Sequence, residues 1–300
     1  MNGSLALARG VLYAGVQAKT ARVLRFDRGG RPLAGGFSFR DADAGRSTVG
    51  GLAVDRDERV WVADTPGNCL RVFSAFGRQV EVSAGAAPST CLPGSIVEPV
   101  DVDVEGDRSE GTLVVASRGE RQHAVQVFEP DLGLRHTLAS LGDPRRRFDT
   151  VNRVVLGDGL LYVSEAGQRC VQVFRRADFL FAFHLTDRQG TRLEPTGLAP
   201  LPGGRMVIAF RGPESSLVLA DGAGRFVRLL AGPGIEEGRV QDPSDVVVDA
   251  GASEHQTGVY VIDRDGLRVQ VFDLTARCLG AFPVDASVPQ ERSRKKKGGR

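Results

Sequence analysis

The chain has 300 residues, of which 41% are hydrophobic and 25% are charged, and its formal net charge is +2. This balance is typical of a folded globular protein with a substantial core, and it excludes a wholly disordered chain. No segment approaches the roughly 20 apolar residues of a membrane span. The N-terminal stretch MNGSLALARGVLYAG lacks the basic start and the continuous apolar run of a secretory signal. We therefore expect a cytoplasmic protein with no membrane span.

The positive charge is concentrated at the C-terminus. Six basic residues and one acid fall within 291–300, so the remainder of the chain is slightly acidic. A slightly acidic body argues against a phosphate-binding surface that covers the whole domain. We expect 289–300 to form a disordered basic tail. No cysteine has metal-binding spacing, so we expect free thiols at Cys69, Cys91, Cys170 and Cys278.

Valine-rich segments alternate with glycine, proline and aspartate turn signals along almost the whole chain, which favours short strands over helices. A four-strand pattern occurs six times, at about 3–38, 48–83, 97–140, 150–186, 193–231 and 240–285. The first copy predicts strands near Ser4 to Ala8, Val11 to Gly15, Arg22 to Phe26 and Pro32 to Phe37. Six repeats of about 40 to 50 residues, each with four strands, are typical of propeller blades.

A single four-stranded sheet of this composition buries neither of its faces. A closed ring of such sheets leaves no end sheet uncovered. The sequence therefore predicts one all-β domain over residues 1–288, a six-bladed β-propeller of four-stranded antiparallel blades. The chain starts on a first strand and finishes on a fourth, so we expect every blade to be contiguous in sequence.

Three copies carry a family resemblance. The phrases DPSDVVVD…GVYVIDRDGLRVQVFD, GGLAVD…RVWVADTPGNCLRVF and NRVVL…LLYVSEAGQRCVQVF resemble NHL repeats. The resemblance extends over about residues 3–285 and is strongest in the second, fourth and sixth copies. It implies a six-bladed propeller of the NHL-repeat type. That family contains interaction scaffolds, RNA binders, sensor domains and a few enzymes, so the resemblance does not fix a function.

The connections between copies are long and irregular, and in such propellers they emerge on the same face as the loops between second and third strands. Long loops on a rigid scaffold often carry function. This face is rich in arginine, whose planar guanidinium binds carboxylate or phosphate bidentately. The candidate partner-binding residues are Arg118, Arg145, Arg146, Arg147, Arg153, Arg169, Arg211 and Arg264.

Oxygen-bearing side chains open four of the first strands, namely Glu98, Asn152, Glu194 and Asp242. The simpler interpretation is that they shape the entry turns, and that acids ending second strands accept backbone hydrogen bonds from the loop that follows. Those second-strand acids are Asp64, Glu165 and Asp263. The alternative is that the four opening residues converge on the central channel and bind calcium or another divalent cation. The first interpretation requires no cofactor.

We expect a non-catalytic scaffold with a monomeric body that binds a protein or peptide through its loop-rich face. One alternative is a metal-assisted hydrolase or lyase at the central channel. Another is single-stranded RNA binding through the arginine-rich loops, which would require exposed aromatic side chains for base stacking. The aromatic strand residues occupy positions that we expect to be buried, at Tyr13, Trp61, Tyr162 and Tyr260.

Overall fold

A computed structural model describes residues 3–17, 20–40, 46–83, 92–118, 123–263 and 268–284. It contains six antiparallel sheets, each made of four strands that are consecutive in sequence. The first strands of the six sheets contact one another in a closed ring around the axis. The predicted six-bladed β-propeller is therefore confirmed, and so is the prediction that every blade is contiguous.

The first three blades have these strands. Blade 1 contains β1 (Ser4–Ala8), β2 (Val11–Gln17), β3 (Ala21–Phe26) and β4 (Phe37–Phe39). Blade 2 contains β5 (Leu52–Val54), β6 (Val60–Asp64), β7 (Cys69–Phe73) and β8 (Gln79–Val82). Blade 3 contains β9 (Pro99–Gly106), β10 (Gly111–Ser117), β11 (Val125–Phe128) and β12 (Leu134–Thr137).

The last three blades follow the same order. Blade 4 contains β13 (Val151–Gly157), β14 (Leu160–Glu165), β15 (Cys170–Arg175) and β16 (Asp178–Phe183). Blade 5 contains β17 (Glu194–Pro200), β18 (Met206–Arg211), β19 (Ser216–Ala220) and β20 (Phe226–Ala231). Blade 6 contains β21 (Pro243–Asp249), β22 (Gly258–Asp263), β23 (Arg268–Phe272) and β24 (Cys278–Pro283).

The predicted fourth strand of blade 1, Pro32 to Phe37, was placed too early. Pro32 makes only an isolated bridge to Phe26, and the ladder with β3 begins at Phe37. Proline has no backbone N–H to contribute to a ladder, which favours the later start.

A short 3₁₀ helix, Ser140–Gly142, lies between blades 3 and 4. Within the described ranges, no helix has the length and apolar character needed to cross a membrane.

Six apolar clusters form the core, and each is made of side chains from two neighbouring blades. The cluster between blades 6 and 1 joins Tyr260 and Val269 to Leu12 and Phe26, and it closes the ring. Burial at every junction between blades stabilises the ring as a whole. The four strand aromatics predicted to be core are buried. The three described cysteines are free, as predicted, and Cys91 lies outside the described residues.

Acids at the ends of second strands hold the loops between blades. Asp64 Oδ1 accepts the backbone N–H of Thr48 at 3.0 Å, and Asp263 Oδ1 accepts that of Asp242 at 3.0 Å. The prediction that these acids accept backbone hydrogen bonds is confirmed. The bound amides belong mainly to the loop that enters the blade, whereas the sequence interpretation placed them in the loop after the second strand.

Buried glutamines on third strands add a second tether that the sequence analysis missed. Gln126 Oε1 accepts the N–H of Gly94 at 2.7 Å, and Gln270 Oε1 accepts that of Gly238 at 2.9 Å. Both glutamines lie in a Val-Gln-Val-Phe sequence, and this repeated sequence could have indicated their shared role. The polar side chain inside an apolar strand is retained because it pairs loop backbone groups that would otherwise be buried without partners.

Blades 2 and 3 approach each other closely at the axis, at Gly51 and Asp101. A Cβ atom added at Gly51 would lie 2.0 Å from Asp101 Oδ1 and 2.6 Å from Asp101 Cα in the neighbouring blade. We expect Gly51→Ala to lower the free energy of unfolding by about 1–3 kcal/mol, because the blades must separate to admit the methyl group. Denaturant titration would measure the change.

Gly232→Ala is the matched control, because a Cβ at Gly232 would meet only Leu229 Cδ2, at 3.8 Å. If both variants had the stability of the parent protein, the close approach of blades 2 and 3 at the axis would be wrong.

Candidate functional site

Six residues occupy equivalent positions around the axis, one from each innermost strand or the residue before it. The pairing of the first with the second strand shifts register near the starts of β9, β13, β17 and β21. With these shifts counted, the positions are equivalent in all six blades. Two of the six are acids, one is an arginine, and the others are small. In chain order the axial ring consists of Ser4, Gly51, Asp101, Arg153, Gly197 and Asp245.

The Arg153 guanidinium lies at the centre of this axial ring and donates to backbone carbonyls of three other blades. Nη1 donates to the carbonyl oxygen of Gly50 at 3.0 Å. Nη2 donates to those of Gly3 at 3.0 Å and Ser244 at 3.2 Å. Only a long, forked donor can reach several converging carbonyls at once.

Both acids of the axial ring also contact Arg153. Nη1 donates to Asp101 Oδ1 at 3.1 Å, and Nε lies 3.3 Å from Asp245 Oδ1. Each acid also accepts a hydrogen bond from a backbone N–H of the next blade. The N–H of Val154 donates to Asp101 at 2.8 Å, and the N–H of Leu5 donates to Asp245 at 2.8 Å. With the carbonyl contacts, this one side chain of blade 4 joins blades 1, 2, 3 and 6.

The expectation that Arg153 belongs to an exposed partner-binding surface is therefore corrected. The residue is only 5% exposed. Its side chain extends from β13 to the axis, where backbone carbonyls and two carboxylates compensate its charge. The sequence alone could have indicated an unusual role for Arg153, since the other copies have a glycine, a serine or an acid at the equivalent position.

The acids of the axial ring have perturbed protonation equilibria. Burial raises the pKa of Asp101 to about 7, with the Asp245 charge adding to the rise and Arg153 opposing it. Burial also raises the pKa of Asp245, again against Arg153. Burial disfavours the charged form of Arg153, but the two carboxylates outweigh this effect and raise its pKa. The axial ring is thus a tightly coupled group of charges whose proton content depends on pH.

Arg153 divides the central channel into two cavities. On the loop-rich face, a cavity of about 170 Å³ has Arg153 in its lining, and we call it the mouth. On the other side, a cavity of about 290 Å³ also has Arg153 in its lining, and we call it the lower channel. Since the same side chain borders both, the axial ring forms the floor of the mouth.

The lining of the mouth is polar. It includes Arg118 and Arg211 together with the hydroxyl-bearing Thr150, Thr196 and Ser244. A second cavity of about 370 Å³, which we call the side groove, lies between blades 4 and 5 and shares Arg211 with the mouth. Its charged lining residues are Arg169, Asp187, Arg192, Glu194, Arg211 and Glu214.

The structure places the predicted arginines at different points of this face. Arg118 and Arg211 line the mouth, and Arg169 lines the side groove. The loop that enters blade 4 contains the exposed residues Arg145, Arg146 and Arg147. Arg145 Nε donates to Asp143 Oδ1 at 3.0 Å, and Arg146 Nε lies 3.9 Å from Asp143 Oδ2. Arg264 lies outside the described residues.

Three of the four candidate metal ligands have side-chain contacts with protein groups, and the fourth, Glu98, makes a contact through its backbone. Glu194 pairs with Arg211, and Asp242 Oδ1 lies 4.0 Å from Arg211 Nε. Asn152 Nδ2 donates to the carbonyl oxygen of Pro195 at 2.9 Å. The backbone N–H of Glu98 donates to Asn68 Oδ1 at 2.6 Å.

Among the residues with described positions, no group of three or more His, Cys, Asp or Glu side chains is arranged to hold a metal ion. The divalent-cation site remains a prediction.

Comparison with known proteins supports the fold at low sequence identity. No family model matches the chain, and no curated protein matches it. A chain of a nidogen/laminin complex is similar with a TM-score of 0.62 and 17% identity, over 91% of this chain and 94% of that chain.

Two further propellers illustrate the range of the fold. Virginiamycin B lyase from Staphylococcus aureus has a TM-score of 0.59 and 11% identity, over 94% of this chain and 84% of that chain. The WD40 β-propeller domain of Doa1 has a TM-score of 0.60 and 10% identity, over 94% and 83%. At such identities the likeness concerns the fold alone.

The lower channel contains an acid with a shifted pKa. Asp103 Oδ2 accepts the N–H of Leu156 at 2.8 Å, and Oδ1 accepts that of Val104 at 2.9 Å. The side chain borders the lower channel and is partly buried, and this burial raises its pKa to about 7 despite both hydrogen bonds.

We expect Asp103→Asn to change how stability depends on pH. A raised pKa in the folded state means that this carboxyl stabilises the fold below its unfolded pKa of about 4 and loses that effect as pH rises toward 7. The parent protein should lose more unfolding free energy than the variant between pH 4 and 7. Denaturant titrations across this range would measure both slopes. Identical slopes would show that Asp103 does not hold a proton in the folded state.

Proposed function

We propose that the protein is a non-catalytic propeller of the NHL type that binds a protein or peptide partner through its loop-rich face. The observation that carries this proposal is the Arg153 guanidinium on the axis, which lines both the mouth and the lower channel. It makes the mouth a depression of about 170 Å³ that shares Arg211 with the side groove. Two neighbouring depressions suit an extended polypeptide better than they suit a small enclosed substrate.

The charges of this face support a polypeptide as the ligand. The lining of the side groove contains both signs of charge, with Arg169 and Arg192 as well as Asp187 and Glu214. Arg192 is exposed, and Arg169 Nη1 donates to its carbonyl oxygen at 3.1 Å. Mixed charge can pair with side chains of both signs and with peptide groups. Arginine in particular is enriched where protein interfaces gain most of their affinity.

The buried acids that could act in catalysis have structural partners instead. Asp101 and Asp245 bind Arg153 and a backbone amide of the next blade. Asp64 and Asp263 bind the amides of loops between blades. A general acid or base must reach a proton of the substrate, and none of these four carboxylates lines the mouth or the side groove. This supports binding as the activity of the face.

The test compares partner recovery between two charge-reversal variants. We expect Arg169→Glu/Arg192→Glu to lose the proteins that co-purify with the tagged parent chain, because both positions lie in the side groove. The matched control is Arg31→Glu/Arg225→Glu. It makes the same change of charge at exposed positions in the turns between third and fourth strands, on the opposite face. Quantitative mass spectrometry after nuclease treatment would measure recovery.

Loss of a partner in the first variant but not in the second supports the proposal. Equal recovery with both variants would contradict it. If nuclease treatment removed every protein that co-purifies with the parent chain, the proposal would also be contradicted, and RNA binding through the arginine-rich loops would be favoured.

A further inference from the structure

At three junctions between blades, a phenylalanine of one fourth strand packs on a turn glycine of the next blade. The pairs are Phe37 with Gly77, Phe183 with Gly224, and Phe282 with Gly30. A Cβ at each glycine would lie between 2.0 and 2.5 Å from a ring atom. Each glycine has a positive φ, between 77° and 81°, so the turn requires glycine for both conformation and space. These contacts fill the periphery between adjacent blades.

The junction between blades 3 and 4 departs from this arrangement. In blade 4, β15 and β16 are joined by a turn of only two residues, because Arg175 pairs directly with Asp178. Arg176 occupies this turn with a φ of 55°. The turn is therefore shorter than the Asp221–Gly224 turn of blade 5 and has no glycine to receive an aromatic ring.

Blade 3 also lacks the aromatic ring at this junction. His136 pairs with Val127, the residue before Phe128, just as Phe181 pairs with Val173 before Phe174 in blade 4. His136 therefore stands where blade 4 has Phe181. The position of Phe37, Phe183 and Phe282 is occupied in blade 3 by Leu138, whose N–H donates to the carbonyl oxygen of Val125, three residues before Phe128. Where the short turn faces a strand with Leu138 and His136 in place of aromatic rings, a cavity of about 450 Å³ lies between blades 3 and 4, which we call the blade 3–4 cavity.

The walls of the blade 3–4 cavity combine apolar and basic groups. Leu156, Leu160 and Leu161 provide apolar surface from blade 4. Arg135, His136 and Arg176 also line it. The lining thus has two guanidinium groups and an imidazole against the single carboxylate of Glu105. Such a mixture of apolar walls and a few polar groups is typical of small-molecule sites.

The two arginines differ in their partners. Arg135 Nε donates to Glu129 Oε1 at 2.6 Å, and Nη1 donates to Thr112 Oγ1 at 2.8 Å, so its guanidinium is already engaged. The exposed Arg176 guanidinium has no carboxylate within ion-pair distance among the residues that the structure describes. An anionic ligand would gain most from Arg176, with His136 as a further donor.

We propose that the blade 3–4 cavity binds a small aliphatic monocarboxylate. Its carboxylate is held by Arg176 and His136, and its hydrocarbon chain lies against Leu156, Leu160 and Leu161. The apolar wall explains why the ligand needs a hydrocarbon part, since a small inorganic anion would leave that surface unfilled. This site is independent of the partner-binding face, because its turns lie at the opposite ends of the strands.

The test is a ligand-observed NMR titration of the full chain with octanoate. Octanamide is the probe with the same hydrocarbon chain and no charge. We expect saturable octanoate binding by the parent protein, at least ten-fold weaker binding of octanamide, and at least ten-fold weaker octanoate binding by Arg176→Gln. Arg225→Gln changes another exposed turn arginine, in blade 5, and should bind octanoate like the parent.

A second variant fills the cavity. His136→Phe introduces the residue found at the equivalent position of blade 4, and it should abolish octanoate binding without loss of thermal stability. The proposal would be overturned if the parent protein showed no saturable octanoate binding. It would also be overturned if octanoate bound undiminished to either Arg176→Gln or His136→Phe, or if octanamide bound as tightly as octanoate.

Discussion

The contacts of one guanidinium determine the centre of this propeller. Arg153 reaches the axis from blade 4 and makes hydrogen bonds or ion pairs with groups of blades 1, 2, 3 and 6. The blades can approach closely enough because Gly51 and Gly197 have no side chain: a Cβ at Gly197 would lie 2.8 Å from the backbone nitrogen of Val246. Removing either partner of a buried ion pair leaves an uncompensated charge. The ring of blades and the charge balance on the axis therefore depend on each other.

This central contact also decides where the molecule can bind other molecules. With Arg153 between the mouth and the lower channel, a ligand that approaches the loop-rich face meets two neighbouring depressions, the mouth and the side groove, which share Arg211. The periphery offers a different kind of site, because the short turn at Arg176 and the presence of His136 open the blade 3–4 cavity. The mouth depends on the single arginine of the axial ring and the blade 3–4 cavity on a two-residue turn, whereas the features that the blades share build the scaffold.

The repeat pattern alone was enough to predict the blades, because alternating apolar strands and turn signals are local properties of the sequence. The burial of Arg153 could not be predicted in the same way. Its partners include the carbonyls of Gly3, Gly50 and Ser244, which are far away in sequence and meet only when the ring closes. The short turn from Arg175 to Asp178 was readable in principle, since it lacks the glycine of the Asp221–Gly224 turn. The blade 3–4 cavity beside this turn could not be predicted without knowing which surface of blade 3 faces it.

The unfolding free energy of Arg153→Met tests the role of the axial ring most directly, with Arg145→Met as the matched control because the Arg145 side chain is 90% exposed. We expect Arg153→Met to lower the unfolding free energy by about 3–5 kcal/mol, since it leaves two buried acids without their cation. Adding Asp101→Asn and Asp245→Asn should restore part of the loss. Arg145→Met should change stability by less than about 0.5 kcal/mol. Equal, small effects of Arg153→Met and Arg145→Met would contradict the account.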